Sequence, residues 1–160
     1  MTETPAPSVA LAGFGKRVGA TVLDALLVGL VASAVNLATG LNVASHRDLS
    51  TALRASVVVF VLTGIYQVGA IAGWGRTLGN RAVRTEVRRA ADLEPPNFGQ
   101  ALLRFLTGAG LAAWSPVTVV AFAYGLLDDL WCLWDGANQT LHDKAARTVV
   151  ILTDDPVDAS

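Results

Sequence analysis

The chain has 160 residues, 52% of them apolar and only 16% charged, with a mean hydropathy of +0.48. An average soluble domain carries roughly 25% charged side chains, so this composition points to a small integral membrane protein. The net charge of −1 says little about partners, and the single cysteine, Cys132, excludes an intrachain disulfide framework or a thiolate metal cluster.

Residues 1–12 form a polar tail containing proline and alanine, expected to be disordered, ahead of a membrane domain over residues 13–153. Lys16 and Arg17 then precede the first apolar segment, residues 18–39. This start resembles a secretory signal, but the apolar part is too long and no small-residue cleavage site follows directly, so an uncleaved anchor is expected. Asp24 is the one ionised side chain in that segment. A carboxylate two turns inside a membrane helix costs several kcal/mol unless it is neutral, paired or wet. Thr63, Tyr66 and Gln67 of the second apolar segment are its candidate partners.

Residues 55–75 and 105–127 carry no charge at all, and each meets the roughly 20-residue requirement for a membrane helix. Three such runs in so short a chain leave too few amphipathic elements to cover them as a soluble helical core. The loop after the second segment carries Arg76, Arg81, Arg84, Arg88 and Arg89, against Arg47 and Arg54 after the first. The positive-inside bias therefore puts the arginine-rich loop and the N-terminus in the cytoplasm. Anionic lipid headgroups, rather than nucleic acid, are the expected partner of Arg81, Arg84, Arg88 and Arg89.

Three full crossings would export Lys144 and Arg147. Ser115-Pro116 lies within the third segment, and proline breaks helical hydrogen bonding there. The segment is either a split, re-entrant helix pair, which keeps the C-terminus cytoplasmic and is the preferred reading, or one kinked span ending at Asp128 and Asp129. Trp74, Trp114, Trp131 and Trp134 suit interfacial belts. Gly15 with Gly19, and Gly69 with Gly73, suggest close helix contacts. The β-branched run at residues 148–153 predicts a short two-stranded ribbon with residues 81–87 on the cytoplasmic face. Residues 154–160 form an acidic tail.

Three local patterns carry the chemistry: Arg17 to Asp24 entering the first segment, Arg76-Thr77-Leu78-Gly79-Asn80-Arg81 leaving the second, and Thr140-Leu141-His142-Asp143-Lys144 after the third. In this order they resemble the RDD family of bacterial membrane proteins, named for an arginine and two aspartates. Arg17, Asp24 and Asp143 match the three naming positions. Thr77, Gly79 and Arg81 match a Thr-Pro-Gly-Lys-Arg pattern in which Leu78 and Asn80 depart, and Asn138 stands where a basic residue is usual. The resemblance implies a multi-pass protein of the cytoplasmic membrane with no assigned activity, and transport or cation/proton exchange for some relatives.

Seven residues separate Arg17 from Asp24, about 10.5 Å along one helical face. Helical side chains lean toward the N-terminus, so Arg17 is expected to reach lipid phosphate and not Asp24. Asp143 is expected to cap a helix or pair with Arg81 or Arg84. With His46 and His142 the only histidines, no metal site is expected, nor any cofactor or enzymatic motif. The function expected is that of a scaffold or accessory component packing with itself or a larger membrane complex; the alternative is a cation/proton exchanger component using Asp24.

Overall fold

The computed structural model describes residues 9–39, 49–110 and 118–153. Two long helices lead, α1 (Phe14–Thr39) and α2 (Leu49–Trp74), followed by a single turn of helix, α3 (Leu78–Ala82), and strand β1 (Thr85–Arg89). Next come α4 (Phe98–Phe105), a π-helical turn at Leu106–Gly110, α5 (Thr118–Leu130) and a 3-10 turn at Trp131–Leu133. A short α6 (Leu141–Ala146) and strand β2 (Thr148–Leu152) close the order.

Both α1 and α2 are apolar around their whole circumference, the pattern of a helix surrounded by other apolar matter. Their apolar windows, 14–35 and 56–74, are long enough to cross a membrane, yet only 11% and 17% of each is buried inside the chain. The core helix of a soluble domain is buried by its own protein; these two are not. Leu26, Leu30 and Ile65 are each at least 66% exposed, surface that in water would cost about 25 cal/mol per Å². Of the three spans expected, two are therefore seen as continuous helices of spanning length.

The third segment is divided. Helix α4 starts on an Asn97–Gln100 capping box and runs to Phe105, after which Gly108 leaves helical geometry (φ −100°, ψ −106°). The break thus begins seven residues earlier than Ser115-Pro116, which lies outside the described residues, as does Trp114. A Cβ at Gly108 would sit 3.1 Å from the His142 ring, so the kink is where α6 comes against the chain.

The fold is mostly helical, with one antiparallel ribbon in which Thr85 faces Leu152, Val87 faces Val150 and Arg89 faces Thr148. The β2 strand falls where it was expected, but β1 starts four residues later than residue 81. Thr77 caps α3 through its hydroxyl, which takes residues 78–82 into a helix, and Arg84 turns the chain in a left-handed conformation (φ 57°) before the strand. The ribbon gains a third member. Leu11 bridges Ile151, Ala12 N–H donates to Val150 O at 2.8 Å, and Leu152 N–H donates to Ala10 O at 2.8 Å. Backbone pairing needs no apolar side chains, so this end of the tail joins the domain despite its composition.

The core sits under the ribbon, where Val68 and Ile71 of α2 meet Val87, Val150, Ala12, and Ala101 and Phe105 of α4. Phe105 stacks on Phe60 with ring centroids 5.1 Å apart, and Gly64 gives it room, since a Cβ there would lie 3.0 Å from the Phe105 ring. The glycine pairs read as helix contacts behave otherwise. Gly15, Gly69 and Gly73 have open space where a Cβ would be, and only Gly19 approaches a neighbour, Val83 at 3.4 Å.

Candidate functional site

Two buried charge clusters lie at the end of the helices nearest the ribbon. In the first, Asp143 is fully buried at the third position of α6, in a capping box with Thr140. Its Oδ2 accepts from Thr140 Oγ1 at 3.0 Å and from Arg17 Nη1 at 2.6 Å, while its Oδ1 accepts from Thr148 Oγ1 at 3.1 Å and pairs with Arg104. Arg104 Nη1 also donates to Thr148 Oγ1 at 3.2 Å, and Arg17 Nε to Ala12 O at 3.3 Å. One carboxylate thereby ties α1, α4, α6 and β2 together.

This corrects two expectations. Arg17 is not a lipid anchor: its side chain is 9% exposed and spent on Asp143. Asp143 does cap a helix, but its arginines are Arg17 and Arg104, not Arg81 or Arg84, which stay exposed beside α3 and the turn. Arg104 borders an apolar segment as any flanking arginine does, so its position alone suggests no more than a contribution to the positive-inside bias. The local signal of its burial is that Leu102, Leu103, Phe105 and Leu106 surround it as apolar residues surround Asp24.

In the second cluster Asp24 is 7% exposed and saturated by short hydrogen bonds. Tyr66 Oη donates at 2.6 Å and Gly79 N–H at 2.8 Å to Oδ1, and Thr77 Oγ1 donates at 2.6 Å to Oδ2. Tyr66 Oη in turn accepts from Leu78 N–H at 2.8 Å. Of the three candidates only Tyr66 is a partner; Thr63 donates to Val59 O on its own helix. The turn after α2 is thus pinned to α1, by charge-assisted bonds worth about 1.5–3 kcal/mol each. Gly79 is required for the approach, because a Cβ there would fall 2.7 Å from Asp24 Cγ and nearer still to the Ala20 carbonyl oxygen. Gly75, at φ 69°, ends α2 and turns the chain toward β1. Arg17 and Asp24, on one face of α1, serve different clusters.

Between the clusters lies a cavity of about 430 Å³, lined among others by Asp24, Thr77, Arg104, Asp128, Asp129 and His142. Asp128 lies in the last turn of α5, where it is buried and holds α6: its Oδ1 accepts from His142 N–H at 2.9 Å and its Oδ2 lies 2.5 Å from His142 Nδ1. Among the described residues no three His, Cys, Asp or Glu side chains are placed to share a metal ion. Elsewhere Arg88 pairs with Glu86 at 2.9 Å and Arg89 with Asp92 at 3.0 Å, and Arg76 lies at the end of α2.

Burial, then the Arg104 charge, push the His142 imidazole down to about 4, against the upward pull of Asp128. In the unfolded chain it binds a proton near pH 6.5. Between those values the unfolded state binds more protons, so this contribution is intact above about pH 6.5 and is lost as pH falls toward 4. Asparagine can place its amide N–H where Nδ1–H stands. His142→Asn is therefore expected to lose less stability than wild type between pH 7 and pH 5, by roughly 2 kcal/mol, in denaturation midpoints measured in detergent; parallel pH dependence in the two proteins would count against a buried neutral imidazole.

Two poorly covered apolar helices of spanning length, with charge buried at one end, point to a membrane protein. The chain belongs to the RDD family, which it matches over residues 11–147. No curated protein and no solved structure matches it. The structure accounts for the departures from the family's middle pattern. The retained Thr77 and Gly79 both touch Asp24, whereas Leu78 is 57% exposed and Asn80 bonds toward Thr85.

Proposed function

We propose that the chain is a multi-pass protein of the cytoplasmic membrane that acts as a scaffold or accessory component, packing with itself or with a larger membrane complex. The observation that carries this reading is the saturation of the motif carboxylates by the chain itself. Asp24 accepts three hydrogen bonds, and Asp143 accepts two arginines and two threonine hydroxyls. Charges so engaged hold a shape. The apolar flanks of α1 and α2 remain for lipid or a partner.

The ribbon bears on topology. Paired strands lie on one side of a bilayer, and α1 and α2 fall between Leu11 and β1, which supports an even number of crossings there and again between β1 and β2. The third segment is then a re-entrant or split pair, with the arginine-rich loop and the C-terminal strand in the cytoplasm. Cysteines replacing Glu86 and Ile151 in a Cys132→Ser background are expected to crosslink, and each alone to label from the cytoplasmic side. Labelling from opposite sides would sink this topology.

A second reading, a cation or proton exchanger component using Asp24, draws on the cavity, which Asp24 lines together with Asp128 and Asp129. Proteoliposomes separate the two readings. The scaffold reading expects no proton, Na⁺ or K⁺ flux above that of empty liposomes. Flux that vanishes in Asp24→Asn while the protein stays folded would establish the exchanger.

A further inference from the structure

The cavity between the two clusters holds charge that neither cluster uses up. At about 430 Å³ it falls within the roughly 300–1,000 Å³ of small-molecule sites, and α1, α2, α4, α5 and α6 all contribute to its wall. Its three carboxylates differ in how far they are engaged. Asp24 accepts three hydrogen bonds, and His142 occupies both oxygens of Asp128. The Asp129 carboxylate, by contrast, accepts no hydrogen bond and forms no ion pair among the described residues; Cys132 Sγ, at 3.2 Å, donates to the Asp129 backbone carbonyl instead. Gly125, four residues earlier on the same face of α5, keeps space open beside it, since nothing lies within 4 Å of where a Cβ would be.

The opposite charge stands on α4. Arg104 and Arg17 share one carboxylate, Asp143, so this clasp keeps one positive charge in excess. Arg104 also lines the cavity and lies within electrostatic reach of Asp129, yet the two do not meet in an ion pair. Opposite charges that face one cavity without touching are complementary to a molecule carrying both countercharges, and the attraction is stronger there than in water. A bare cation would answer Asp129 alone, and the acidic and imidazole groups of the described residues are not placed to share a metal ion. An anion would answer Arg104 alone.

We propose that this cavity binds a small zwitterion with a primary ammonium group, the ammonium donating to Asp129 and a carboxylate or phosphate accepting from Arg104. The source is a free amino-acid-like solute or the headgroup of an aminophospholipid; the recognition chemistry is the same for both. Bound there, the ligand joins α5 to α4 and completes the pairing that the chain leaves open. Binding requires no ion flux, so the proposal stands or falls apart from both readings above.

Full-length protein in a maltoside detergent is titrated by equilibrium dialysis with two matched pairs of probes: glycine against its trimethylated form, betaine, and glycerophosphoethanolamine against glycerophosphocholine. Within each pair the anion is the same and only the primary ammonium is lost. A primary-amine probe is expected to bind, and its trimethylated partner to bind at least about tenfold more weakly, because it has no N–H to give Asp129. Binding of glycine assigns the source to free solutes, and binding of glycerophosphoethanolamine without glycine assigns it to the lipid headgroup. Asp129→Asn should remove the preference, and Gly125→Leu should fill the cavity and remove binding of every probe. Arg84→Gln, on the exposed turn before β1, should change neither. Failure of both primary-amine probes to bind, equal binding within each pair, or a preference that survives Asp129→Asn would each overturn the proposal. Circular dichroism and gel filtration check that the variants fold. If Asp129→Asn does not, the wild-type comparison within each pair and Gly125→Leu carry the test, and binding undiminished by Gly125→Leu overturns the proposal as well.

Discussion

Replacing Asp143 with alanine is expected to release the ribbon and α6 from the helices. Arg17 and Arg104 would be left buried without their shared carboxylate, and Thr140 would lose its capping partner. Breaking a buried ion pair by removing one partner costs about 3–5 kcal/mol, a large part of a small domain's total stability. Asp143→Ala should therefore lower the unfolding midpoint in detergent sharply and expose residues 139–153 to protease. The reverse manipulation sharpens the test. The triad is held at a cost, since Arg17 Nη2 is buried with no hydrogen-bond partner among the described residues. Arg17→Met, Arg104→Met and Asp143→Leu together should recover most of the loss, because apolar replacement of a whole buried network is often neutral. An Asp143→Ala protein as stable as wild type would refute the assignment of Asp143 as the tie between four elements.

Gly79→Ala should be nearly as damaging, though it adds one methyl group. The new Cβ would fall 2.7 Å from Asp24 Cγ and 2.8 Å from its Oδ1, with the Ala20 carbonyl oxygen closer still. None of these is the free end of a flexible chain: Ala20 is helix backbone, and Asp24 is fixed by three hydrogen bonds. The turn has to withdraw, stretching the bonds from Thr77 and Gly79, at an expected cost of about 3 kcal/mol. Gly29→Ala and Gly69→Ala are the contrast. Nothing lies within 4 Å of either Cβ, so both should be neutral or more stable by up to about 1 kcal/mol from helix propensity. Equal thermal midpoints for all three variants would contradict the close approach of the turn to α1.

What sequence reasoning recovered, and what it missed, follows from how local each signal is. Asp24 stands out because its apolar surroundings are its own sequence neighbours, and Tyr66 follows as a polar group on the next helix. The β2 strand is legible in a run of β-branched residues. The β1 strand starts four residues later than its sequence suggests, because the cap at Thr77 and the turn at Arg84 decide where it begins. Arg104 and Asp128 each border an apolar run, where a charge needs no explanation, so nothing local marks them as buried. Their burial is made by α6, a helix of six residues docking from far along the chain. The break at Gly108 is equally non-local, since the ring that occupies its missing side chain belongs to His142.

The Arg17–Asp143 pair joins positions 126 residues apart. In synthesis α1 and α2 are complete long before Asp143 has been translated, and until then Arg17 lacks the carboxylate it pairs with in the finished fold. The domain therefore has a built-in order of maturation: the long helices first, the clasp that closes them last. A chain truncated before Asp143 retains both apolar helices but never acquires the clasp, leaving Arg17 without its ion-pair partner.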